Sequence, residues 1–207
     1  MNEIACYSSG DNDFFGPLCV VACYLNDEDY LFIKSLNLQD DFDDNKIIEV
    51  GKLLKEHLTY SLLLLDNSHY NEMNKKLTTI KSILYNQAII NIMKRIKADN
   101  YNIYCDDFLS AKKYYKNLKY KTIVVHNIKF TNKYTLSMLC AKILSQYAFL
   151  QYFRNMNTSL EITLPKGNNI IANEIGYKLV NKYDLSILNK IAKINMPNYK
   201  QIIEKIN

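Results

Sequence analysis

The sequence predicts an α/β fold with a mixed sheet of about five strands, flanked by helices and followed by a helical C-terminal region. Two observations carry this prediction. The first third of the chain consists of short apolar or β-branched runs separated by turn-forming clusters, which is typical of strands joined by short connections. From residue 44 onward, segments with the apolar spacing of amphipathic helices alternate with further strand-like runs, as in a mixed α/β sheet.

Three antiparallel strands are predicted at the start of the chain. They cover Asn2–Ser8, Leu18–Leu25 and Tyr30–Ser35. The clusters Gly10–Asp13 and Asn26–Asp29 separate them, and Gly, Asn and Asp are residues that favour turns.

Helices and strands then alternate to the end of the predicted sheet. In order, they are a helix from Asp44 to about His57, a strand at Tyr60–Leu65, an amphipathic helix at about Leu77–Ile96, a strand at Tyr101–Cys105, a helix at Ser110–Leu118, a strand at Lys121–Val125, a long helix at Lys133–Asn155, and three further helical pieces. No repeat or Pro/Gly/Ser-rich linker interrupts this order. We therefore predict one domain over residues 1–207, with a core to about residue 157 and a helical extension of the same domain over 158–207.

Composition indicates a protein of the reducing cytoplasm with no membrane partner. The apolar stretch Leu18–Leu25 is far shorter than the roughly 18 residues that a membrane span requires, and the first residues lack the pattern of a signal peptide. The five cysteines occur singly, without CxxC spacing, which favours buried thiols. The formal net charge of +5 is too modest to identify a polyanionic partner.

A series of short motifs carries a resemblance to a known family. Residues 7–17 read Tyr-Ser-Ser-Gly-Asp-Asn-Asp-Phe-Phe-Gly-Pro, where ribonuclease HIII has Asp-Glu-Val-Gly-Thr-Gly-Asp-Tyr-Phe-Gly-Pro. Further blocks follow in that family's order and spacing: Tyr60–Asn67, Tyr70–Glu72, Asn86–Ala88, Asp106–Phe108, Lys112–Tyr115, Tyr147–Leu150, Leu164–Gly167 and Ala192–Lys193. The chain therefore resembles the catalytic domain of ribonuclease HIII, a type 2 ribonuclease H.

The resemblance implies a ribonuclease H-like fold, with three antiparallel strands followed by alternating β/α elements. Enzymes of this family cleave RNA in RNA/DNA hybrids with two divalent ions, Mg or Mn, held by four acidic side chains. Full-length members also carry an N-terminal domain that resembles the TATA-binding fold, which we expect this chain to lack.

The four acidic positions are largely neutral in this sequence. The Asp-Glu pair of the first strand is replaced by Tyr7 and Ser8, the acidic residue before the last core helix is replaced by Asn132, and Asp106 alone is retained. Because a phenol, a hydroxyl and an amide do not replace anionic ligands at neutral pH, the resemblance implies no tightly bound cofactor and impaired catalysis. A metal site could involve Asp106 at most.

Two alternatives for the acidic residues stay open. Asp11, Asp13 or Asp107 could replace the lost ligands, which would leave an active enzyme. Asp106 could also be a polar strand-end residue that caps the helix at Ser110, with no role in metal binding.

Residues matched to substrate contacts have changed less uniformly than the metal ligands: Gly10 is kept, whereas the second glycine of the turn is Asn12. The turn Gly10, Asp11 and Asn12 matches the family's Gly-Thr-Gly, whose backbone approaches the ribose 2′-hydroxyl, and Lys166 is a candidate phosphate ligand. In contrast, the segment Asp40–Asp44 is acidic where the family has paired lysines, and would repel phosphates. Lys112–Lys121 alternates lysines with tyrosines, which suits either a nucleic-acid surface or an amphipathic helix.

Three hypotheses about function follow. The first is a catalytically impaired ribonuclease HIII-like protein with residual binding of RNA/DNA hybrids or other nucleic acid. The second is an active metal-dependent endoribonuclease. The third is a protein-interaction module in which the acidic face around Asp40–Asp44 docks a partner such as an active ribonuclease paralogue.

Overall fold

A five-stranded mixed sheet is the centre of the fold in the computed structural model, which describes residues 2–98 and 100–206. Its strands are β1 (Glu3–Ser9), β2 (Leu18–Leu25), β3 (Thr59–Leu65), β4 (Asn102–Asp106) and β5 (Ile128–Thr131), in the spatial order β3-β2-β1-β4-β5. β1 runs antiparallel to β2 and parallel to β4, and β4 runs parallel to β5. The predicted α/β fold with a mixed sheet is confirmed.

Helices follow most of the strands and end the chain. They are α1 (Asp27–Ser35), α2 (Asp44–His57), α3 (Asn67–Glu72), α4 (Leu77–Met93), α5 (Ala111–Asn117), α6 (Leu136–Leu160), α7 (Ile170–Lys182), α8 (Ser186–Ile191) and α9 (Pro197–Ile206). The last three are the helical C-terminal pieces predicted from the sequence. None of the helices in the described part of the chain is both long and apolar enough to span a bilayer.

The predicted strand Tyr30–Ser35 is wrong, because this segment belongs to helix α1. The cluster Asn26–Asp29 starts the helix as a capping box: the Asn26 side chain accepts from the Asp29 amide, and the Asp29 carboxylate accepts from the Asn26 amide. Acidic residues in the first turn further stabilise this end of the helix dipole. The third strand of the sheet is instead β3, beside β2.

The predicted strand Lys121–Val125 is also wrong, and β5 lies further along the chain at Ile128–Thr131. A side chain of α4 satisfies the backbone of this apolar run. The Asn86 side chain donates from Nδ2 to the backbone carbonyl of Ile123 at 2.9 Å, and the backbone amide of Val125 donates to Asn86 Oδ1 at 2.8 Å. An extended apolar run is thus held by one buried side chain and not by a strand ladder.

Two compact units make up the described chain. One contains the residues up to Ser9, Cys19–Leu63 and Lys75–Ala148, and the other contains Gly10–Leu18, Leu64–Asn74 and the residues from Phe149 onward. In the first unit, Ala5, Val21, Leu54 and Met138 belong to a buried cluster between sheet and helices. In the second, Phe149 and Phe153 stack at 5.2 Å within α6. The single domain over residues 1–207 stays a prediction.

Candidate functional site

Neighbouring parallel strands bring the matched acidic positions to one edge of the sheet. Cys6 of β1 pairs with Cys105 of β4, so Tyr7 and Asp106 each follow at the same level. Asp106 in turn pairs with Thr131, the last residue of β5, and Asn132 follows directly in the exposed connection before α6. The four positions that the resemblance singled out therefore lie on adjacent strand ends.

Asp106 is held by two side chains of α4. The Tyr85 hydroxyl donates to Asp106 Oδ1 at 2.5 Å, and Lys81 Nζ lies 3.5 Å from Asp106 Oδ2. Lys81 and Tyr85 are both buried, and Lys81 Nζ lies 4.3 Å from the ring centroid of Phe108. The carboxylate therefore already has an ammonium and a phenol as protein partners.

Ser8 joins the same network through Tyr85. Its Oγ is 3.0 Å from the Tyr85 hydroxyl, and Ser8 is almost fully buried. Burial first, and then the negative charge of Asp106, raise the pKa of Tyr85 well above its ordinary value. Since the protonated phenol has one hydrogen and the carboxylate only accepts, Tyr85 donates to Asp106 and accepts from Ser8.

Tyr7 lies beside a second tyrosine. The Tyr7 and Tyr134 hydroxyls are 3.1 Å apart, and their ring centroids are 6.1 Å apart. Lys142 Nζ is 4.8 Å from the Tyr134 ring centroid. Tyr7, next to Ser8 on β1, thus contacts a phenol, and the ring of that phenol lies near an ammonium group.

These residues do not fit a pair of divalent metal ions. Mg²⁺ and Mn²⁺ need several hard oxygen ligands, and Asp106 is the one carboxylate at the four matched positions. Asp107 is exposed after the end of β4. Within residues 2–98 and 100–206, no group of three or more His, Cys, Asp or Glu side chains is arranged to hold a metal ion.

The turn from Gly10 to Pro17 has a tightly specified backbone. Gly10 and Gly16 have φ values of +86° and +87°, which residues with a side chain rarely adopt. A Cβ added to Gly10 would also overlap the carbonyl oxygen of Pro17. This turn therefore requires glycine at Gly10 for both conformation and space.

The Leu164–Gly167 motif binds this turn directly. The amide of Gly167 donates to Asp13 Oδ1 at 2.6 Å, and the Phe14 amide donates to the carbonyl of Gly167 at 3.0 Å. Lys166, within the same motif, has an exposed side chain, and so does Asn12. The carboxylate of Asp13 thus has a structural partner, and two substrate-binding candidates face solvent.

Comparisons with known proteins agree with this architecture. A sequence model of the ribonuclease HII family matches residues 9–199. The chain belongs to that family. The chain is 32% identical over 207 aligned residues to a ribonuclease HIII of Bacillus licheniformis, covering 96% of this chain and 66% of the relative. A ribonuclease HIII of Staphylococcus epidermidis is 29% identical, with 100% of this chain and 71% of the relative covered.

Solved structures of ribonucleases share the fold. A crystal structure of Bst-RNase HIII in complex with Mn2+ has a TM-score of 0.93 at 23% identity, covering 99% of this chain and 70% of that one. The RNase H3 of Aquifex aeolicus has a TM-score of 0.77 at 20% identity, with 93% and 71% covered. The resemblance to ribonuclease HIII is confirmed, and the chain spans about two thirds of the length of the Bacillus relative.

Two other charged segments of this ribonuclease HII family member each contain a residue with a structural role. Asp43 is the N-cap of α2, where its Oδ1 accepts from the Lys46 amide at 2.8 Å. In α5, Tyr114 is fully buried, whereas Lys112 and Lys113 are exposed. The segment Lys112–Lys121 therefore begins with an amphipathic helix whose tyrosine packs inward.

Sequence reasoning missed Lys81 and Tyr85. They lie four residues apart on α4, so they share one face of the helix, and a charged residue on that buried face was an available signal. Lys193 was also missed as an individual residue, although the Ala192–Lys193 block contains it. Its side chain is fully buried.

Proposed function

We propose that this chain is a ribonuclease HIII-like protein with impaired catalysis that binds RNA/DNA hybrids or other nucleic acid. The observation that carries the proposal is the state of Asp106. It is the one acidic residue at the four matched positions, and its two carboxylate oxygens contact Tyr85 and Lys81.

Electrostatics support impaired catalysis. Losing three charged ligands weakens metal binding by on the order of 1–3 kcal/mol for each ligand. A divalent ion at Asp106 would also be repelled by the Lys81 ammonium, whose Nζ lies 3.5 Å from Asp106 Oδ2. These costs together oppose a hydrolysis that depends on two bound metals.

The turn supports retained binding. Gly10 keeps the conformation that requires glycine, and the hydrogen bonds between Gly167, Asp13 and Phe14 hold the turn in place without a ligand. Lys166 is exposed and able to contact a phosphate. A preformed site loses little conformational entropy on binding.

A cleavage assay tests the catalytic half of the proposal. Purified protein and an Asp106→Asn variant are incubated with an RNA/DNA hybrid in Mg²⁺ and in Mn²⁺. We expect the same rate for both proteins, at the level of the buffer control. Robust cleavage that Asp106→Asn abolishes would instead support the active endoribonuclease, with substitute ligands from Asp11, Asp13 or Asp107.

A salt titration of hybrid binding tests the other half. Each phosphate contact adds about 0.7–0.9 to the magnitude of the slope of log affinity against log salt concentration. Lys166→Gln should therefore reduce this magnitude by roughly the amount of one contact. Lys178→Gln, which removes an exposed lysine of α7, is the matched control. If the protein binds no hybrid at any salt concentration, the protein-interaction hypothesis based on Asp40–Asp44 gains support.

A further inference from the structure

Lys193 is a fully buried lysine in the connection between α8 and α9. Its Nζ donates to the carbonyl of Gly16 at 2.6 Å and to the carbonyl of Asp13 at 2.9 Å. The same ammonium lies 5.8 Å from the ring centroid of Tyr70. Burying an ammonium is costly unless its hydrogen bonds are well made, so the two short bonds indicate a specific structural task.

The carbonyl of Gly16 has a second buried donor. Asn67, at the start of α3, donates from Nδ2 to this oxygen at 2.9 Å and is itself fully buried. A carbonyl oxygen has two lone pairs, and here Lys193 and Asn67 use both. The direction of the Gly16 peptide group is therefore set by two side chains that lie 126 residues apart in the sequence.

Backbone hydrogen bonds also join the Gly10–Pro17 turn to residues 191–193. The Lys193 amide donates to the carbonyl of Phe14 at 2.9 Å, the Gly16 amide donates to the carbonyl of Ile191 at 3.0 Å, and Phe15 forms a bridge with Ala192. The Lys193 ammonium adds to this contact by drawing the Asp13 and Gly16 carbonyls to one point. Those carbonyls follow Gly10–Asn12 in the chain, so the ammonium holds the part of the turn that comes directly after these residues.

We propose that Lys193 is a positioning residue for the Gly10–Pro17 turn and that its ammonium sets the preference for RNA-containing over all-DNA duplexes. This inference rests on the nucleic-acid binding proposed above. The ribose 2′-hydroxyl distinguishes RNA from DNA. The resemblance to ribonuclease HIII implies that the backbone of Gly10–Asn12, at the start of this turn, approaches that hydroxyl. Because recognition by backbone groups depends on their placement, a turn displaced by about 1 Å loses much of the discrimination.

The experiment compares Lys193→Met with Lys190→Met. Methionine preserves the length and apolar character of the side chain but removes the ammonium. Lys190 is exposed on α8, so its substitution removes the same charge from the same part of the chain without touching the turn. Two readouts are taken: hydrogen exchange of the Phe14, Gly16 and Gly167 amides without ligand, and the dissociation constants for a hybrid and a DNA duplex of equal sequence.

In Lys193→Met we expect the amides of Phe14, Gly16 and Gly167 to exchange at least about tenfold faster than in the unaltered protein, because each lost bond had a charged donor. The exchange of α7 amides should change by less than this. The ratio of hybrid to DNA affinity should fall toward one, whereas Lys190→Met should leave exchange and ratio unchanged. Lys193→Arg, which restores a cationic donor, should recover part of the ratio. Unchanged exchange, or faster exchange with an unchanged ratio, would overturn the proposal.

Two further arms keep the outcomes separate. If Lys193→Met does not fold, Asn67→Ala removes the other donor to the Gly16 carbonyl without changing any buried charge. Faster exchange of the turn amides is again expected. If the unaltered protein binds neither duplex, the proposed function and the duplex preference fail together. The exchange data then still decide whether Lys193 positions the turn.

Discussion

At the scale of single residues, the Asp106 carboxylate has a protein partner at each of its two oxygens. Its carboxylate oxygens contact Tyr85 and Lys81, and Tyr85 also bonds Ser8. Side-chain exposure is 5% for Lys81 and 19% for Asp106, so the pair is poorly screened by solvent. The pair therefore matters to stability, in contrast to an exposed salt bridge.

We predict that Lys81→Met destabilises the protein by about 3–5 kcal/mol, because it leaves the Asp106 carboxylate without its buried cation. The double variant Lys81→Met with Asp106→Asn should recover much of this loss, since it removes both charges together. Urea unfolding of the two single variants and the double variant gives the coupling free energy. Additive losses in this cycle would contradict the ion pair.

A second prediction concerns Gly10. Gly10→Ala should destabilise the protein by about 1–3 kcal/mol, because a side chain is strained at φ +86° and its Cβ overlaps the Pro17 carbonyl. Gly167→Ala is a matched control: its φ is +83°, but the nearest atom to an added Cβ is 4.0 Å away. Thermal unfolding should show the larger loss for Gly10→Ala, and equal losses would show that the overlap has no effect.

At the scale of elements, the helices are specified by caps and by close contacts. Asp66 caps α3, where its carboxylate accepts from the backbone and the ring of His69, at 2.9 and 2.8 Å. In α2, Gly51 is buried, and an added Cβ would lie 2.6 Å from the Tyr147 Cβ. Helix α3 thus depends on the charge of Asp66, and helix α2 depends on the absence of a side chain at Gly51.

We predict that Gly51→Ala is destabilising by about 1–2 kcal/mol. The alanine gains about 1 kcal/mol of helix propensity, but overpacking against the rigid Cβ of Tyr147 costs about 1–3 kcal/mol. In Gly176→Ala the added Cβ meets the flexible end of Ile202 in α9, which can move, so this control should be close to neutral. Chemical denaturation measures both, and a stabilised Gly51→Ala would show that α2 and Tyr147 separate easily.

A fourth prediction is the pH dependence of the α3 cap. Burial alone would raise the pKa of Asp66, but hydrogen bonds from His69 lower it, and the same pairing raises the pKa of His69. Because its pKa is lowered on folding, ionised Asp66 stabilises the folded protein above about pH 3.9, the pKa of an unfolded Asp. This stabilisation is lost as the pH falls through the folded pKa. Because its pKa is raised on folding, protonated His69 stabilises the folded protein below about pH 6.5. This stabilisation is lost as the pH rises through the folded pKa of His69.

Asp66→Ala should therefore cost about 1 kcal/mol near neutral pH, with a larger difference between about pH 4 and 6.5. Below about pH 4 the difference between variant and unaltered protein should shrink. Melting temperatures from pH 3 to 8 measure it. A difference that stays constant across this range would show that the Asp66 charge has no part in the cap.

At the scale of the whole molecule, the described sheet and its flanking helices have the fold of solved ribonuclease HIII structures. β1, β4 and β5 still bring positions 7, 8, 106 and 132 to adjacent strand ends. At these positions the sequence has Tyr7, Ser8, Asp106 and Asn132, of which Asp106 is a carboxylate.

We predict that restoring the three lost carboxylates, as Tyr7→Asp, Ser8→Glu and Asn132→Asp, recovers Mg²⁺ or Mn²⁺ binding but only weak hybrid cleavage. Binding should return because the strand register places oxygen ligands around Asp106. Cleavage should stay weak because misplacing the scissile phosphate by about 1 Å costs about a hundredfold. Gly10–Asn12 and the acidic Asp40–Asp44 segment both differ from the family pattern that places it.

Calorimetry and a cleavage assay test the two parts of this prediction. Adding Asp106→Asn to the triple variant is the control, and should abolish the recovered metal binding. Chelator should lower the melting temperature of the triple variant, whose carboxylates repel one another without metal, and leave the unaltered protein unchanged. No metal binding by the triple variant would indicate a wrong match of positions, and full activity would show that substrate placement was never lost.

Local sequence patterns suffice to predict the α/β class, elements such as α2, β3 and α4, and the family. They also show the neutral residues Tyr7, Ser8 and Asn132 at the matched positions. Hydrophobic period, turn residues and motif order are local properties, so a linear pattern contains them. The helix at Tyr30–Ser35 also depends on a local pattern, because the polar cluster before it is a capping box and not a turn between strands.

The contacts between residues that are distant in sequence depend on the three-dimensional fold. Asn86 holds the run at Ile123–Val125 from another element, so that this apolar segment is not a strand. Lys81 and Tyr85 reach Asp106 across more than 20 residues, and Lys193 reaches Gly16 across 177. Such contacts depend on how helices dock on the sheet and on which buried polar groups must be paired, and neither is encoded in any short stretch of sequence.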